Sequence, residues 1–207
     1  MPRHKTTQRQ QIQGETRQLL LQSAIDEFAR FGYENANINH ISQAAGFAKG
    51  TIYNYFESKR ALMLALIEET ARLHLEYITR HVITVSDAPG RLRRFFEAGF
   101  NFVEQYLAQG RVMVNNIYGP DPEFKQVMYQ AYLPMFQLVG KDILALGMSQ
   151  GTFRDMDSEA TAGLLMNIYL GIASSANEAG KTWMSARHVA DFVLHALQSG
   201  QRLTDKV

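Results

Sequence analysis

The sequence predicts an all-α fold, a small N-terminal helix-turn-helix unit followed by a larger helical domain. Three observations predict it. Apolar residues recur at helical spacing from one end of the 207-residue chain to the other, with no convincing strand pattern. Glycines and prolines then cut that pattern into helix-length pieces. Charge is also unevenly divided. Residues 1–60 hold eight Lys/Arg against five Asp/Glu, and the remainder holds 13 against 15, so a basic module adjoins a near-neutral one.

Taken in order, residues 1–15 read as a basic flexible arm, in which residues 3–9 suit either entry into a minor groove or a solvated tail. A first helix is expected over 16–31, with Leu20, Ala24, Phe28 and Phe31 on one side and a stop at Gly32. Asn37 is placed to cap a short helix over 38–45, ended by Gly46. A third helix is expected over about 48–56. Ser58 then caps a long fourth helix carrying Leu62, Leu66, Leu73 and Tyr77.

Pro89, at a first-turn position, opens a fifth helix that runs to about Ala108. On a helical wheel its apolar residues, from Leu92 to Leu107, fill an arc of roughly 160°. That is wide for one neighbour, so the helix should pack against two. A short helix over 111–118 ends at "GPDP". A long one over 122–150 should kink at Pro134, whose ring meets the carbonyl of Gln130. Helices over 158–179 and 186–199 complete the chain. The expected division is 1–15 arm, 16–60 helix-turn-helix domain and 61–207 helical domain.

Composition narrows the function. With 46% hydrophobic and 20% charged residues the chain is globular in character. Cysteine is absent, which excludes disulfides, thiolate metal sites and catalytic thiols. The polar, basic start "MPRHKTTQRQQIQG" lacks the apolar stretch of a secretory signal, so a cytoplasmic location is expected. Residues 160–177 carry no charge, but Thr161, Asn167, Ser174 and Ser175 interrupt them and no interfacial anchor flanks them. A buried or subunit-packing helix is expected there rather than a membrane span.

Catalytic signals are also missing. His74 and His81 lie two turns apart, as do His188 and His195, which is poor spacing for one metal. No phosphate loop, nucleophile elbow or HExxH is present. Asp155 and Asp157 precede a helix, where capping accounts for them. Neither catalysis, a metal nor a cofactor is expected.

The stretch "GFAKGTIYNYFESK", residues 46–59, carries the functional signal. Short helices joined by a tight turn make a helix-turn-helix. On a wheel begun at Lys49, Ile52 and Phe56 face the small core of Phe28, Ile41 and Ala45. Gly50, Thr51 and Asn54 point away, with Tyr53 and Tyr55 on the two flanks. Gly50 lets backbone approach another surface closely. Thr51 and Asn54 can hydrogen-bond base edges, and the threonine methyl can touch a thymine methyl. The tyrosine hydroxyls suit the phosphates on either side of a major groove. Lys59 opens the next helix, where charge and unpaired N–H groups both favour phosphate.

With those residues in view, "NINHISQAAGFAKGTIYNYFESKRALMLAL" resembles the DNA-binding signature of the TetR family of bacterial transcriptional regulators. The likeness covers about residues 16–66 and rests on Gly46, Lys49, Gly50, Thr51, Tyr53, Phe56, Ser58 and Lys59. It implies DNA contacts from Asn37, Asn39, Lys49, Gly50, Thr51, Tyr53, Tyr55 and Lys59, to which the wheel adds Asn54. One position departs: Ala48 stands where the family often has a small hydroxyl residue, which leaves the reading helix with a poorer cap.

For the larger domain the resemblance implies a homodimer formed through the last two long helices, a ligand cavity in each subunit and a double-stranded operator as partner. The face of small residues Ala160, Gly163, Asn167, Gly171 and Ser174 is compatible with close helix approach. A surplus of aromatic and methionine side chains predicts a lipophilic or aromatic small-molecule effector. The expected ligand-binding residues are Phe102, Tyr106, Asn115, Tyr118, Tyr132 and Asn167. The function expected from all this is a repressor released from a palindromic operator by its effector. The alternatives are an architectural DNA-binding protein or an activator without a ligand.

Overall fold

The computed structural model describes residues 3–198, with side chains described from residue 8 onward. The outermost residues of the expected arm, and Ser199 at the end of the last expected helix, lie outside the described residues. Most of the described chain is helical, and its one β-type pairing is an isolated bridge between Phe153 and Gln198.

The first helix, α1 (Arg3–Asn35), starts well before residue 16, so the segment expected as an arm continues the helix, with residues 8–15 exposed. Gly32 has φ 71°, a left-handed conformation that glycine adopts at no cost, and there the helix direction breaks. Phe31, expected on one side of the helix with Leu20, Ala24 and Phe28, is 41% exposed because it sits at that break. Asn37 caps α2 (Ile38–Ala44) as expected, its side chain accepting from the N–H groups of Asn39 and His40.

The third helix is shorter than expected. It is a single 3₁₀ turn, Thr51–Asn54, entered through Gly50 at φ 86° with no side-chain cap. A hydroxyl is missing at Ala48, and the first N–H groups bond instead to nearby carbonyls, Thr51 N–H to the Ala48 carbonyl at 3.1 Å. Ser58 caps α3 (Lys59–Val82) through the Ala61 N–H.

The larger domain is built around α3 and α4 (Ala88–Gln105). Leu92, Phe95, Phe96, Gly99, Phe100, Phe102 and Val103 of α4 are buried. The helix packs against both α3 and α9 (Ala186–Leu197), which explains its wide apolar arc. The chain then forms α5 (Leu107–Tyr118) and α6 (Pro122–Gln137), whose first turn is capped by Asp121. The expected long helix over 122–150 is divided. Pro134 lies in α6, and a π-helical segment, Leu138–Ala145, follows it before the short α7 (Leu146–Ser149). Proline removes one N–H from the ladder, and the wider π turn follows in the next part of the helix. Finally α8 (Ser158–Ala173), capped by Asp157, ends six residues sooner than expected, at Ala173 rather than 179. No helix among the described residues is long and apolar enough to cross a membrane.

A continuous apolar core runs from Leu20 through Leu66 and Phe96 to Leu194. The N-terminal helix-turn-helix unit is tied to the larger domain at the start of α6. Arg60 donates from Nη1 and Nη2 to Asp121 at 2.9 and 3.1 Å and from Nε to Glu123 at 2.6 Å. Its guanidinium also lies 4.8 Å from the centre of the Phe124 ring, which meets Tyr33 edge-on at 5.0 Å.

Candidate nucleic-acid interface and effector cleft

The N-terminal unit presents the surface that the wheel anticipates. Ile52 and Phe56 are buried with Phe28 and Ile41, whereas Tyr53 and Asn54 are exposed and Thr51, Gly50 and Tyr55 are half-buried. Lys49 and Asn39 are exposed on the same side, in a depression shared with Asn37, His40 and Gln43. The turn that holds them is fastened from inside: the buried Ser42 hydroxyl donates to the Ala48 carbonyl at 2.7 Å, and Gly46 turns the chain at φ 87°. A rigid loop of this kind can offer side chains without ordering them at the moment of contact.

Two of the expected DNA residues have prior engagements. The Asn37 side-chain oxygen is occupied by capping, which leaves only its amide nitrogen for an outside partner. The Lys59 ammonium donates to the carbonyls of Glu34 at 2.9 Å and Ala36 at 3.2 Å and lies over the Tyr33 ring at 4.9 Å. Two of its three donors thus hold the end of α1, where carbonyls lack helical partners, and the third donor and the charge remain for an outside anion.

Sequence reasoning passed over His40 and Glu27. Glu27, buried in α1, accepts from the Asn37 N–H at 3.0 Å, and its other oxygen lies 2.7 Å from His40 Nδ1. The available signal was spacing, since Asn37, His40 and Gln43 recur every third residue along one face of α2.

The larger domain has a cleft of about 210 Å³ between α5, α6 and α8. Ile117, Met128, Tyr129, Tyr132, Phe136, Met166 and Leu170 line it, and Lys125 contributes its single cation. Behind Tyr132 lies a buried polar network. Tyr132 Oη is 3.2 Å from His74 Nδ1, His74 Nε2 is 3.0 Å from Tyr169 Oη, and Tyr169 reaches the Gly99 carbonyl at 3.1 Å. Phe102 stacks on the imidazole at 4.2 Å.

One proton arrangement serves the nitrogen and oxygen acceptors and leaves Met113 Sδ, 2.8 Å from Tyr132 Oη, as a weak acceptor without the proton. Tyr132 donates to Nδ1, Nε2–H donates to Tyr169, and Tyr169 donates to Gly99. The ring is neutral in it, and burial holds its pKa down at about 3. Burial likewise pushes both phenols upward.

The six residues expected to bind ligand do not converge. Tyr132 alone lines this cleft. Phe102 is fully buried beneath His74, and Tyr106 stacks on Phe102 at 4.7 Å. Asn115 is exposed beside a different cavity of about 290 Å³ at the junction with the reading head. Tyr118 is 62% exposed. Asn167 lies on the outer face of α8, its amide donating to the Gly163 carbonyl at 2.9 Å. Wheel position separated apolar from polar faces but could not distinguish one neighbour from another.

Residues 20–66 match the family described as bacterial regulatory proteins, tetR family. Among curated relatives, the chain is 31% identical over 109 residues to the HTH-type transcriptional activator FasR of Mycolicibacterium smegmatis, an alignment covering 53% of this chain and 50% of that protein. The chain thus spans about half the length of the curated relatives it matches. Solved structures extend the likeness in fold to nearly the whole chain. The transcriptional regulator FadR of Bacillus subtilis, in complex with stearoyl-CoA, superposes with a TM-score of 0.76 at 18% identity, over 88% of this chain and 98% of that one. A transcriptional regulator of Saccharomonospora viridis in complex with choline gives 0.75 at 25% identity, over 90% and 100%.

Proposed function

We infer from a chain whose residues 20–66 belong to the TetR family of bacterial regulators that the protein is a ligand-responsive transcriptional regulator, acting as a dimer on a palindromic operator. The observation that carries this is the outward surface of Lys49, Gly50, Thr51, Tyr53 and Asn54 on a turn locked from within. In this reading the 3₁₀ turn enters the major groove, Thr51 and Asn54 meet base edges, and Tyr53, Tyr55 and Lys49 meet phosphates.

Dimerisation through α8 and α9 is supported by their outer faces. Ala160, Gly163, Asn167, Gly171 and Ser174 all lie on the accessible side of the α8 segment. Leu164 and Phe192, 61% and 68% exposed, add apolar surface that a lone subunit leaves in water.

The effector proposed is an amphiphile with an apolar chain or ring and an anionic head. Its body suits the apolar walls of the cleft and its head suits Lys125. The stearoyl-CoA found in the Bacillus subtilis relative is of that chemistry. The effector acts by binding one separation of the two reading heads better than the other. Because α6 both lines the cleft and, through Asp121 and Glu123, grips Arg60, it is the element joining the two events. A coupling of about 1–3 kcal/mol would weaken operator binding some 5- to 150-fold.

Release of a repressor is the response proposed. The activator reading stays as the second one because the Mycolicibacterium smegmatis relative is named an activator. Selection of bound DNA from a random library tests the whole scheme. Two half-sites about one helical turn or a near multiple apart are expected, and recovery of asymmetric or random sequences would sink it. Titrating fatty acids and their coenzyme A thioesters into the protein–operator complex then tests the effector, and an unchanged affinity with every compound would remove that part.

A further inference from the structure

We propose that His40 is a DNA-phosphate contact held in place by Glu27, and that DNA binding by this protein therefore takes up protons. This rests on the DNA-binding reading above. The buried carboxylate of Glu27 is the unusual feature, since a carboxylate is rarely buried unless fully partnered. Its partners are both on the reading head: the Asn37 N–H at 3.0 Å and His40 Nδ1 at 2.7 Å.

Glu27 thereby does two things. It anchors the start of α2, and it fixes the tautomer and orientation of one imidazole, because Nδ1–H must point at the carboxylate. The His40 side chain is 60% exposed, so the ring edge bearing Nε2 is the one left toward solvent. Around it lie Asn37, Asn39, Gln43 and Lys49, the same depression that holds expected DNA contacts. Glu27 and Lys49 are the other charged groups lining that depression, and the neighbouring turns of α1 carry Asp26, Arg30, Tyr33 and Glu34, with Tyr53 on the 3₁₀ segment.

A phosphate at Nε2 would lie across the ring from a carboxylate. With an anion on each side, both ring nitrogens carry protons and both donate, one to Glu27 and one to the phosphate. A ring that carries a single proton before the contact forms takes up a second from solvent when the phosphate arrives. A histidine changes charge between about pH 5 and 8, where this matters. The sign follows directly. DNA favours the charged form, so affinity is highest at the acid end and falls as pH rises through the range in which the bound ring loses its proton. One proton per subunit makes the affinity of a dimer change by up to about a hundredfold per pH unit within that range.

The test measures binding to a random-sequence duplex of about 30 bp at low salt, from about pH 6 to pH 8, for the wild type, His40→Gln and Glu27→Gln, with melting curves of each protein alone. Wild-type affinity should fall by at least about tenfold across the range. His40→Gln keeps a neutral donor but cannot titrate, and its profile should be flat by comparison. Glu27→Gln removes the anion that favours the charged ring and should give an intermediate profile. Calorimetric titration of the wild type in two buffers of different ionisation enthalpy counts the protons directly and needs no variant. Uptake of up to one per subunit is expected. Equal pH slopes for wild type and His40→Gln, or no proton uptake, would overturn the proposal while leaving DNA binding intact. A wild type that binds no duplex at any pH would overturn the DNA-binding reading itself.

Discussion

Mild acid should destabilise this protein through a single imidazole, and the size of the effect follows from where that imidazole sits. His74 is fully buried on α3 between Tyr132 and Tyr169. The hydrogen-bonded network around it contains phenols and a carbonyl and no carboxylate that could balance a charge. Burial lowers its pKa from 6.5 to about 3. The unfolded chain therefore protonates near pH 6.5 while the folded one does not, so stability is intact above that value and falls as pH drops toward about 3. Between about pH 7.5 and pH 5 the loss is about 2 kcal/mol, and its limit in stronger acid is about 5 kcal/mol. Against a typical domain stability of about 5–15 kcal/mol that is a large share.

Urea unfolding of the wild type, His74→Gln and His74→Leu at those two pH values, at one protein concentration, measures it. Both variants should be weaker at neutral pH, by about 1–3 kcal/mol, because two buried hydroxyls each lose one of their two partners and Phe102 loses the ring stacked on it. Their dependence on pH should nevertheless be smaller than that of the wild type by about 2 kcal/mol. Parallel profiles for wild type and variants would refute the claim that the fold holds this ring neutral.

Other outcomes follow from the same coordinates. A Cβ added at Gly99 would fall 2.6 Å from Tyr169 Cε2, so Gly99→Ala should cost about 1–3 kcal/mol by displacing that ring, and an unchanged urea midpoint would mean the ring has room to move. Lys59→Ala removes the donor to the Glu34 and Ala36 carbonyls and should lower the melting temperature as well as DNA affinity, with about 1–2 kcal/mol lost. Weaker binding with an unaltered melt would return this lysine to the role of a plain phosphate contact. Phe192→Asp, on the exposed face of α9, should give a monomer in sedimentation without loss of helical signal, and an unchanged dimer mass would move the interface elsewhere.

What the chain alone determined is what neighbours in sequence decide. Asn37, Ser58 and Asp157 each cap a helix through N–H groups two or three residues away, and all three were legible as caps. Gly32 and Gly46 end helices because a left-handed conformation is needed there and glycine supplies it. The buried pair Ile52 and Phe56, one helical turn apart, told which side of the 3₁₀ turn faces inward.

The side-chain partnerships that the sequence did not reveal join residues far apart along the chain. Lys59 meets carbonyls 23 and 25 residues earlier. Glu27 and His40 are separated by 13 residues, and His74 from Tyr132 and Tyr169 by 58 and 95. Helical periodicity states that a side chain points inward, but not which side chain it will meet there. His74 occupies an inward position of α3 among apolar residues, so its sequence context marks it only as core. The six residues expected around an effector shared that limit, and only packing could separate Tyr132, on the cleft, from Tyr118, in solvent. Capping and turn chemistry act within one turn of helix and are written locally. A cleft or a buried network exists only once distant helices have packed, so the tertiary structure alone decided them.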